Sequence, residues 1–402
     1  MKKITYIDLF AGCGGLSLGF KKLGFVCKYA NESNADAAQS YKLNFPESKL
    51  DIRDCKEVYQ DLFFNKVIKA QKTYKCDVLA GGPPCQGFSE INRHRSPLDP
   101  RNSLVDLFLL FALKIQPKII LMENVTGLLT LESGRALKSV LNELLLNNYM
   151  PKIGIIQAGN FGLPQNRWRV FVLAKHGKIK ADLNFPQPTH EFHSTSFVGL
   201  PQWREYVIST NNCKESLFNK GPLLPETTVD DAIGDLPGEI VSNLNLATSY
   251  ERAPSGSFQK ELRGKSDFVW DHISPKVEAV TSKRISFIPE GGNWTNLPTE
   301  LQPKNLVSFK KEVGAFRGRY GRLHRKKTFP TIVTKPEPYW GRYIHPIFDR
   351  LVSIRECARA QGFPDSFRFY GAIASRYRQI GNAVPPPLST AFASEIKKAL
   401  KH

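Results

Sequence analysis

The chain has 402 residues, which is long enough to bury large cores and to form two domains. Its 56 Lys and Arg residues outnumber its 37 Asp and Glu residues, and the resulting net charge of +19 indicates a polyanionic partner such as nucleic acid. No apolar run approaches the roughly 20 residues that a membrane-spanning helix needs, and the N-terminus has no signal-peptide pattern. We therefore expect a soluble intracellular protein without a membrane partner.

The cysteines point to a reducing compartment. They are seven in number, widely spaced and without a Cys-x-x-Cys pair, at positions 13, 27, 55, 76, 85, 213 and 357. An odd number of cysteines with this wide spacing argues against a disulfide framework and against a zinc site. We expect no bound metal.

The first 175 residues alternate short apolar strands with helix-period segments, starting directly at the N-terminus. The predicted strands span residues 5–9, 26–30, 78–80, 119–122, 153–157 and 170–173. The predicted helices span residues 34–41, 103–114 and 135–146, and an amphipathic helix follows at 388–400. This order predicts an α/β fold with a doubly wound, mostly parallel sheet.

From about residue 184 the alternation is lost, because Pro and Gly become frequent and helical stretches become short. We predict a cofactor-binding catalytic domain at 1–185 plus 376–402. A smaller irregular domain at 186–375 is expected to recognise the target. Residues 301–330 of this domain contain nine Lys and Arg residues and one acidic residue. The resulting net charge of +8 favours phosphate binding.

The first predicted strand leads into a glycine-rich turn that contains Gly12, Gly14 and Gly15. Such a turn lets the backbone approach a nucleoside near the start of the next helix. The last glycine of the Gly-x-Gly-x-x-Gly pattern is missing, since Ser17 stands there. Glu32, 18 positions after Gly14, suits ribose hydroxyls. A nucleoside cofactor without a pyrophosphate, such as S-adenosylmethionine, fits better than NAD.

Cys85 follows two prolines directly after the strand at 78–80. A stiffened loop at the carboxyl edge of the sheet would hold a thiol rigidly, as a nucleophile requires. On its own, this segment fits a buried structural cysteine about equally well.

Other segments bring further candidates. Glu123 and Asn124 follow the strand at 119–122 and could supply an acid/base partner. Arg167 and Arg169 precede the strand at 170–173, and a Gly-Asn-Ala-Val-Pro-Pro-Pro run starts at Gly381. Each alone is also compatible with a structural role.

Together and in this order, these segments resemble the C5-cytosine DNA methyltransferase family. The resemblance rests on the Phe-x-Gly-x-Gly-Gly turn, Pro-Pro-Cys-Gln, Glu-Asn-Val, Gln-x-Arg-x-Arg, residues 355–364 and Gly-Asn-x-Val-Pro, and it covers nearly everything outside roughly 190–300. The catalytic region of maintenance-type enzymes is the most similar, through residues 230–237, 259–264, 320–323, 331–338 and 352–357. A bacterial modification enzyme or a compact eukaryotic or viral relative is expected.

The resemblance implies the mechanism. The target cytosine is flipped out of the duplex, and Cys85 attacks its C6 as a thiolate, with Arg167 as the positive neighbour that favours ionisation. Glu123 would bind the N3 edge of the ring and share a proton, while Asn124 and Pro84 would shape the pocket. The methyl group would come from S-adenosylmethionine.

The resemblance also implies the residues that contact the cofactor, which are Phe10, Gly12, Gly14, Leu16, Glu32, Asp51, Ile52, Leu104, Asn382 and Val384. Relatives often carry a bulky residue after the ribose-binding acid, but Ser33 stands there in this chain. Stacking on that side of the adenine is therefore not expected from residue 33.

The expected partner is double-stranded DNA, bound by a monomer at a site that we expect to contain CG. Predicted DNA contacts are Arg93, Arg95, Arg169, Arg319, Arg322, Arg325 and Lys326, and the loop at 86–101 is expected to close over the DNA. The protein would act in the bacterial cytoplasm, or in the nucleus of a eukaryote.

Three alternatives use different substrates or no chemistry. A tRNA-cytosine methyltransferase would carry a Cys-Phe-Thr signature in the second domain, whereas Cys213 is followed by Lys214 and Glu215. A small-molecule methyltransferase would not need the charge of +19 or the large second domain. A catalytically silent DNA-binding relative would be expected to lose Cys85 or Glu123, and both are present.

Overall fold

The structure is a computed structural model that describes residues 3–63, 74–84, 103–193, 201–208, 222–307 and 318–401. Cys85, Arg93, Arg95, Cys213 and the predicted closing loop at 86–101 lie outside these ranges. None of the helices in the described ranges is long and apolar enough to cross a membrane.

Ten strands are described. They are β1 (Thr5–Leu9), β2 (Val26–Asn31), β3 (Leu50–Asp51), β4 (Val78–Gly81), β5 (Ile119–Val125), β6 (Tyr149–Gln157), β7 (Trp168–His176), β8 (Val207–Ile208), β9 (Ala247–Ser249) and β10 (Phe268–Trp270). The first eight form one sheet in the order β3-β2-β1-β4-β5-β7-β6-β8. All neighbours in this sheet are parallel except that β7 runs antiparallel to both β5 and β6. β9 and β10 form a separate antiparallel pair.

Eleven α-helices lie within the described residues. They are α1 (Gly15–Lys22), α2 (Ala35–Asn44), α3 (Cys55–Phe63), α4 (Ser103–Ile115), α5 (Arg135–Leu146), α6 (Val229–Ile233), α7 (Ser257–Arg263), α8 (Ala279–Ser286), α9 (Ile354–Ala360), α10 (Ile373–Asn382) and α11 (Pro386–Lys401). Short 3-10 helices span Thr126–Leu129, Leu131–Gly134, Ala158–Phe161, Pro201–Tyr206, Trp294–Asn296 and Thr299–Leu301.

The described residues divide into two compact units. One comprises residues 1–162, 168–226 and 383–402, and the other comprises residues 163–167 and 227–382. We predicted that residues 186–226 belong to the target-recognising domain, but the described parts of this range (186–193, 201–208 and 222–226) group with the sheet.

The sheet unit has an apolar core on one face and a close helix pair on another part of its surface. Alternate residues of β1 and β5, such as Leu9 and Met122, join one apolar cluster with Phe108 of α4, as period-2 strands and an amphipathic helix require. Elsewhere α1 meets α11 so closely that a Cβ on Gly19 would lie 2.4 Å from the backbone nitrogen of Thr390. Only glycine permits this approach.

The predicted mixed α/β fold class is confirmed, and the observed strands contain the predicted ones. The strands at 119–122, 153–157 and 170–173 are longer than expected, at seven, nine and nine residues. The periodicity of the sequence did not reveal the two-residue strands β3 and β8 or the reversed direction of β7. Short strands offer too little period-2 pattern, and strand direction is not encoded in an apolar run.

The second unit is built around helix α9, which carries Arg355, Glu356 and Arg359. Arg359 is fully buried, and it donates Nε and Nη2 to the two oxygens of Asp365 at 2.9 and 2.6 Å while also pairing with Asp235. Arg355, also fully buried, donates to the carbonyls of residues 270, 364 and 367. Removing one partner of such a pair typically costs about 3–5 kcal/mol, so this motif is a packing centre.

Two neutral histidines lie beside the buried carboxylate of Glu356. Arg350 binds that carboxylate bidentately at 2.9 and 2.7 Å, and His345 Nε2 lies 3.6 Å from Glu356 Oε1. His345 Nδ1 accepts two backbone N–H groups, so its proton is on Nε2. Burial and then the Arg350 charge lower the pKa of His345 to about 4 against the pull of Glu356, and burial also lowers the pKa of His272.

These depressed pKa values predict loss of stability in mild acid. In the unfolded chain a histidine takes up its proton near pH 6.5, whereas folded His345 resists protonation down to about pH 4. His345 therefore contributes stability that is complete above pH 6.5 and falls by about 3 kcal/mol by pH 4. His345→Asn, which keeps an acceptor near Nδ1, should show a smaller drop in Tm between pH 8 and pH 4.5 in calorimetry.

The control is His193→Asn, because the side chain of His193 is 75% exposed. This variant should keep the wild-type fall in Tm. If His345→Asn also kept that fall, the acid sensitivity would have to arise from other groups.

Candidate active site

The carboxyl ends of β4 and β5 meet at one edge of the sheet. The two strands are parallel, with Gly81 opposite Met122, and each is followed or ended by predicted site residues. Asn124 Nδ2 donates to the carbonyl of Pro83 at 3.1 Å, and Asn124 is buried. This bond ties the Pro83-Pro84 segment, the last described residues before Cys85, to β5.

Glu123 pairs with Arg169 at the same edge. Because β5 and β7 are antiparallel with Val125 opposite Arg169, Glu123 and Arg169 are diagonal neighbours on one face of the sheet. Arg169 Nε lies 2.9 Å from Glu123 Oε1, and the two side chains are only 12% and 9% exposed. The other oxygen, Oε2, would lie 3.2 Å from a Cβ placed on Gly82. The carboxylate thus reaches the backbone that leads into the Pro-Pro-Cys segment.

Arg167 has a different environment from the one we predicted. It belongs to the second unit, it is fully buried, and it donates Nη1 to the carbonyl of Ile332 at 3.1 Å and Nη2 to that of Gly381 at 3.0 Å. These contacts give Arg167 a packing role, and they lend no support to the predicted catalytic one. Arg169, which we predicted only as a DNA contact, is the arginine at Glu123. The sequence placed both near the site, but only the strand register shows which one faces the carboxylate.

The loop after β1 has an unusual backbone. Phe10, Gly12 and Gly14 have positive φ values of 58°, 57° and 101°. A Cβ on Gly14 would lie 2.3 Å from the ring of Phe45, whereas among the described residues a Cβ on Gly12 would meet no atom within 4 Å. Gly14 is therefore required for packing, and Gly12 borders open space where a ligand could lie. Strain of this kind at Phe10 is typical of ligand-binding segments.

Glu32 closes this loop from the end of β2. Its Oε2 accepts the N–H of Gly12 at 2.8 Å, and its Oε1 accepts that of Asn34 at 2.7 Å. Burial raises the pKa of Glu32, although the two N–H groups oppose this shift. Each oxygen keeps a further lone pair, so the carboxylate is oriented and able to accept hydroxyl donors such as those of a ribose.

Asp51 is the last residue of β3, and Ile52 follows it directly. Ile52 is 64% exposed, although such a side chain is usually buried, so it offers an apolar surface to a flat ring. Asp51 is bonded by its neighbour Arg53, a residue that we did not predict. Leu104 at the start of α4 is half-buried and packs against the main core.

The remaining predicted cofactor residues lie in both units. Leu16 in α1 and Val384 are buried in the sheet unit, with 3% and 7% of their surfaces exposed. Asn382 is exposed at the end of α10, in the second unit. The residues grouped in the sheet unit (the loop at 10–14, Glu32, Asp51 and Ile52) combine open space, oriented acceptors and an apolar surface. They fit the adenosine part of a cofactor.

The predicted DNA contacts in the second unit separate into accessible and inaccessible residues. Arg325 and Lys326 are exposed, and Arg325 pairs with Glu290 at 3.1 Å. Arg319 is half-buried and lies over the rings of Tyr339 and Trp340.

Arg322 is only 3% exposed. Its guanidinium donates to the carbonyls of residues 285, 288, 345 and 348 and to Asp349. A phosphate has no access to this side chain, so the prediction for Arg322 was wrong. Within the described ranges, no group of three or more His, Cys, Asp and Glu side chains could hold a metal ion.

Solved structures share the fold. A protein from E. coli described as a prophage-encoded DNA modification methyltransferase has a TM-score of 0.71 and 24% identity, with both chains fully covered. The Entamoeba histolytica methyltransferase EhMeth has a TM-score of 0.53 and 15% identity, also with full coverage of both chains. At these identities the likeness establishes the fold alone.

Curated relatives are more similar in sequence. The chain is 34% identical to DNA (cytosine-5)-methyltransferase PliMCI of Paracentrotus lividus, and 33% identical to DNA (cytosine-5)-methyltransferase 4 of Arabidopsis thaliana and to DNA (cytosine-5)-methyltransferase 1 of Mus musculus. The matches cover 99%, 99% and 100% of this chain but only 28%, 29% and 28% of the three relatives. The chain thus spans less than a third of their length.

The sequence pattern of C-5 cytosine-specific DNA methylases matches residues 4–398, nearly the whole chain. The resemblance that we stated from the motifs is thereby confirmed. Membership of this family implies DNA as the substrate and S-adenosylmethionine as the methyl donor. The chain belongs to the C-5 cytosine-specific DNA methylase family.

Proposed function

We propose that this chain is a DNA (cytosine-5)-methyltransferase that methylates cytosine in duplex DNA. The observation that carries the proposal is the Glu123–Arg169 pair beside the Pro83-Pro84 segment, which immediately precedes Cys85. The carboxylate of Glu123 would provide a proton partner, the guanidinium of Arg169 a fixed positive charge, and the thiol of Cys85, the next residue in sequence after Pro84, a nucleophile. The net charge of +19 supports a polyanionic substrate.

The proposed cofactor site is the segment at 10–14 together with Glu32, Asp51 and Ile52. S-adenosylmethionine would supply an electrophilic methyl group there. Glu32, held by two backbone N–H groups, would accept the ribose hydroxyls, and Ile52 would cover one face of the adenine. The open space beside Gly12, together with the positive φ values of Phe10, Gly12 and Gly14, supports placing the ligand against this part of the backbone.

The proposed chemistry begins with Cys85. Its thiolate would form a bond to C6 of the flipped cytosine, and the displaced electron pair would move toward the N3 side of the ring. Glu123 would share a proton at that position, so that negative charge does not accumulate. Arg169 would hold the Glu123 carboxylate in place and balance its charge. After C5 has been methylated, loss of the C5 proton and cleavage of the Cys85–C6 bond would restore the aromatic ring.

We further propose that the second unit supplies the target-recognising surface, and that exposed basic side chains such as those of Arg325 and Lys326 bind phosphates. The buried arginines of this unit do not take part in that contact. Recognition of a CG-containing sequence by a monomer remains our expectation.

Cys85→Ser tests the central step. We expect the variant to lose methyl transfer by roughly 10³-fold or more, because a serine hydroxyl is a far weaker nucleophile than a thiolate. Its affinities for DNA and for S-adenosylhomocysteine should stay at the wild-type level. The measurement is bisulfite sequencing of plasmid DNA incubated with each protein and S-adenosylmethionine. Protected cytosines at one recurrent sequence would support a modification role.

Two results would contradict this assignment. Turnover by Cys85→Ser would remove Cys85 from the nucleophile role. Methylation of tRNA by the wild type, with no protection of DNA, would make the tRNA alternative correct.

Glu123→Gln tests the proton role. The amide cannot exchange a proton at this position and cannot pair ionically with Arg169, so kcat should fall by about 10²–10⁴-fold. The Kd for S-adenosylhomocysteine should change little. Single-turnover methylation and calorimetric binding give the two quantities separately.

The matched control is Asp77→Asn, which makes the same chemical change in the residue that precedes β4, at the opposite sheet edge. It should leave kcat near the wild-type value. Equal losses of rate and cofactor affinity in Glu123→Gln would argue against the proton role.

Removing the positive charges of the exposed residues Lys326 and Lys327 tests the DNA contact. The double variant Lys326→Gln, Lys327→Gln should bind DNA more weakly, and each lost phosphate contact should reduce the slope of log K against log[salt] by about 0.9. Binding is measured by fluorescence anisotropy at several salt concentrations. The double variant Lys178→Gln, Lys180→Gln removes the same charge from two exposed residues after β7 and should keep the wild-type slope. An unchanged slope in the first variant would place the phosphate contacts elsewhere.

A further inference from the structure

Strand β10 in the second unit presents two aromatic side chains on one face. Phe268 and Trp270 are two residues apart and therefore lie on the same face of the strand, whereas Val269 between them is fully buried on the other face. Phe268 is 53% exposed, and Trp270 is half-buried. A large exposed aromatic side chain on a paired strand is available to a partner.

Arg368 adds a cation to this face. The central carbon of its guanidinium lies 3.8 Å from the ring centroid of Trp270, which is a cation–π contact. Its neighbours Phe367 and Phe369 are buried, whereas Arg368 is half-buried and Tyr370 is 50% exposed. Arg368 and Tyr370 thus lie on the accessible side of this segment. Together with Phe268 and Trp270, the guanidinium of Arg368 forms a surface that combines aromatic rings with a positive charge.

Positive charge is concentrated beside this surface. Arg355 and Arg376 both pair with the carboxylate of Asp271, the residue that follows Trp270. Burial lowers the pKa of Arg368, Asp271 acts against this shift, and the charges of Arg355 and Arg376 lower the pKa further. The guanidinium still stays charged at neutral pH. Because a cation that lies near two others is stabilised by an anion, the surface favours an anionic ligand.

The segments that carry these side chains are held in place by hydrogen bonds. Arg355 donates Nε to the carbonyl of Trp270 at 2.9 Å and Nη2 to that of Phe367 at 2.7 Å. Gln379 Nε2 donates to the carbonyl of Tyr370 at 2.8 Å. One buried arginine therefore ties β10 to the segment that carries Arg368. A surface that is already ordered loses little conformational entropy when a ligand binds.

The combination of aromatic rings with a fixed cation selects among anionic ligands. Single-stranded nucleic acid uses both features, since its bases stack on aromatic side chains while its phosphates pair with basic groups. The bases of a duplex are already stacked on each other, so a duplex mainly offers its phosphates to such a surface. The carboxylates of an acidic peptide would likewise use the cation and leave the exposed ring without a stacking partner.

We propose that Phe268, Trp270 and Arg368 form a binding site for single-stranded nucleic acid, DNA or RNA, in which a base stacks on Phe268 and an adjacent phosphate pairs with Arg368. The site would give the protein a second nucleic-acid ligand besides its duplex substrate. It takes no part in the chemistry proposed for Cys85 and Glu123, so it stands or falls independently of the proposed function.

The test measures binding of a labelled oligothymidylate by fluorescence anisotropy, because this strand contains no cytosine and offers no methylation target. Phe268→Ala should weaken binding about tenfold, as expected for the loss of one stacked base. Arg368→Gln should also weaken binding, and it should reduce the slope of log K against log[salt] by about 0.7, the value for one phosphate of a single strand. A labelled oligouridylate of the same length shows whether DNA or RNA is the tighter ligand.

The matched control is Phe287→Ala. Phe287 is 48% exposed and follows α8 in the same unit, so its removal deletes a comparable ring elsewhere and should leave the affinity unchanged. Phe268→Ala should methylate duplex DNA at the wild-type rate. Because Phe268 is exposed, this variant keeps the inference testable if Arg368→Gln fails to fold.

Three outcomes would overturn the inference. The wild type would bind neither single strand, Phe268→Ala would bind as tightly as the wild type, or Phe287→Ala would lose as much affinity as Phe268→Ala. A parallel loss of duplex binding in Phe268→Ala would assign the surface to the duplex instead. The methyltransferase function is tested separately by bisulfite sequencing, and it stands in each of these cases.

Discussion

The arrangement at the sheet edge depends on the pairing of β5 with the reversed strand β7. This pairing puts Val125 opposite Arg169, so Glu123 and Arg169 meet diagonally on one face. A slip of one residue would turn Arg169 to the other face and leave a buried carboxylate without its cation, which is costly. Asn124, on the opposite face of the same strand, then ties down the prolines before Cys85. One strand thus orients both the carboxylate and the segment that leads to the thiol.

A second constraint is that the carboxylates around the proposed nucleoside site are held by local N–H donors without any ligand. Glu32 is bound by two backbone N–H groups, and Asp51 is bound by the guanidinium of Arg53. Preorganised acceptors lose little conformational entropy when they meet a donor, so more of the binding energy remains available. The loop after β1 is also preorganised, since its residues have positive φ values without a bound ligand.

The excess of basic residues serves two different purposes. Arg167, Arg322, Arg355 and Arg359 are almost completely buried, where they bind backbone carbonyls and carboxylates. Arginine suits this role because one planar group satisfies several acceptors and stays charged. The net charge of the chain therefore overstates the charge that is available to a polyanion. Exposed residues such as Lys326 are the ones that can contribute to it.

The sequence by itself determined the alternating α/β order, the glycine-rich turn, the acid that follows β2, and the Pro-Pro-Cys and Glu-Asn-Val segments. These features are local, because a few consecutive residues are enough to determine periodicity, turns and strand ends. Tertiary structure alone decided which arginine faces Glu123, which arginines are buried and that Arg53 restrains Asp51. Each of these depends on strand register or on contacts between distant segments, and a run of basic residues looks the same in sequence whether it lies inside the protein or on its surface.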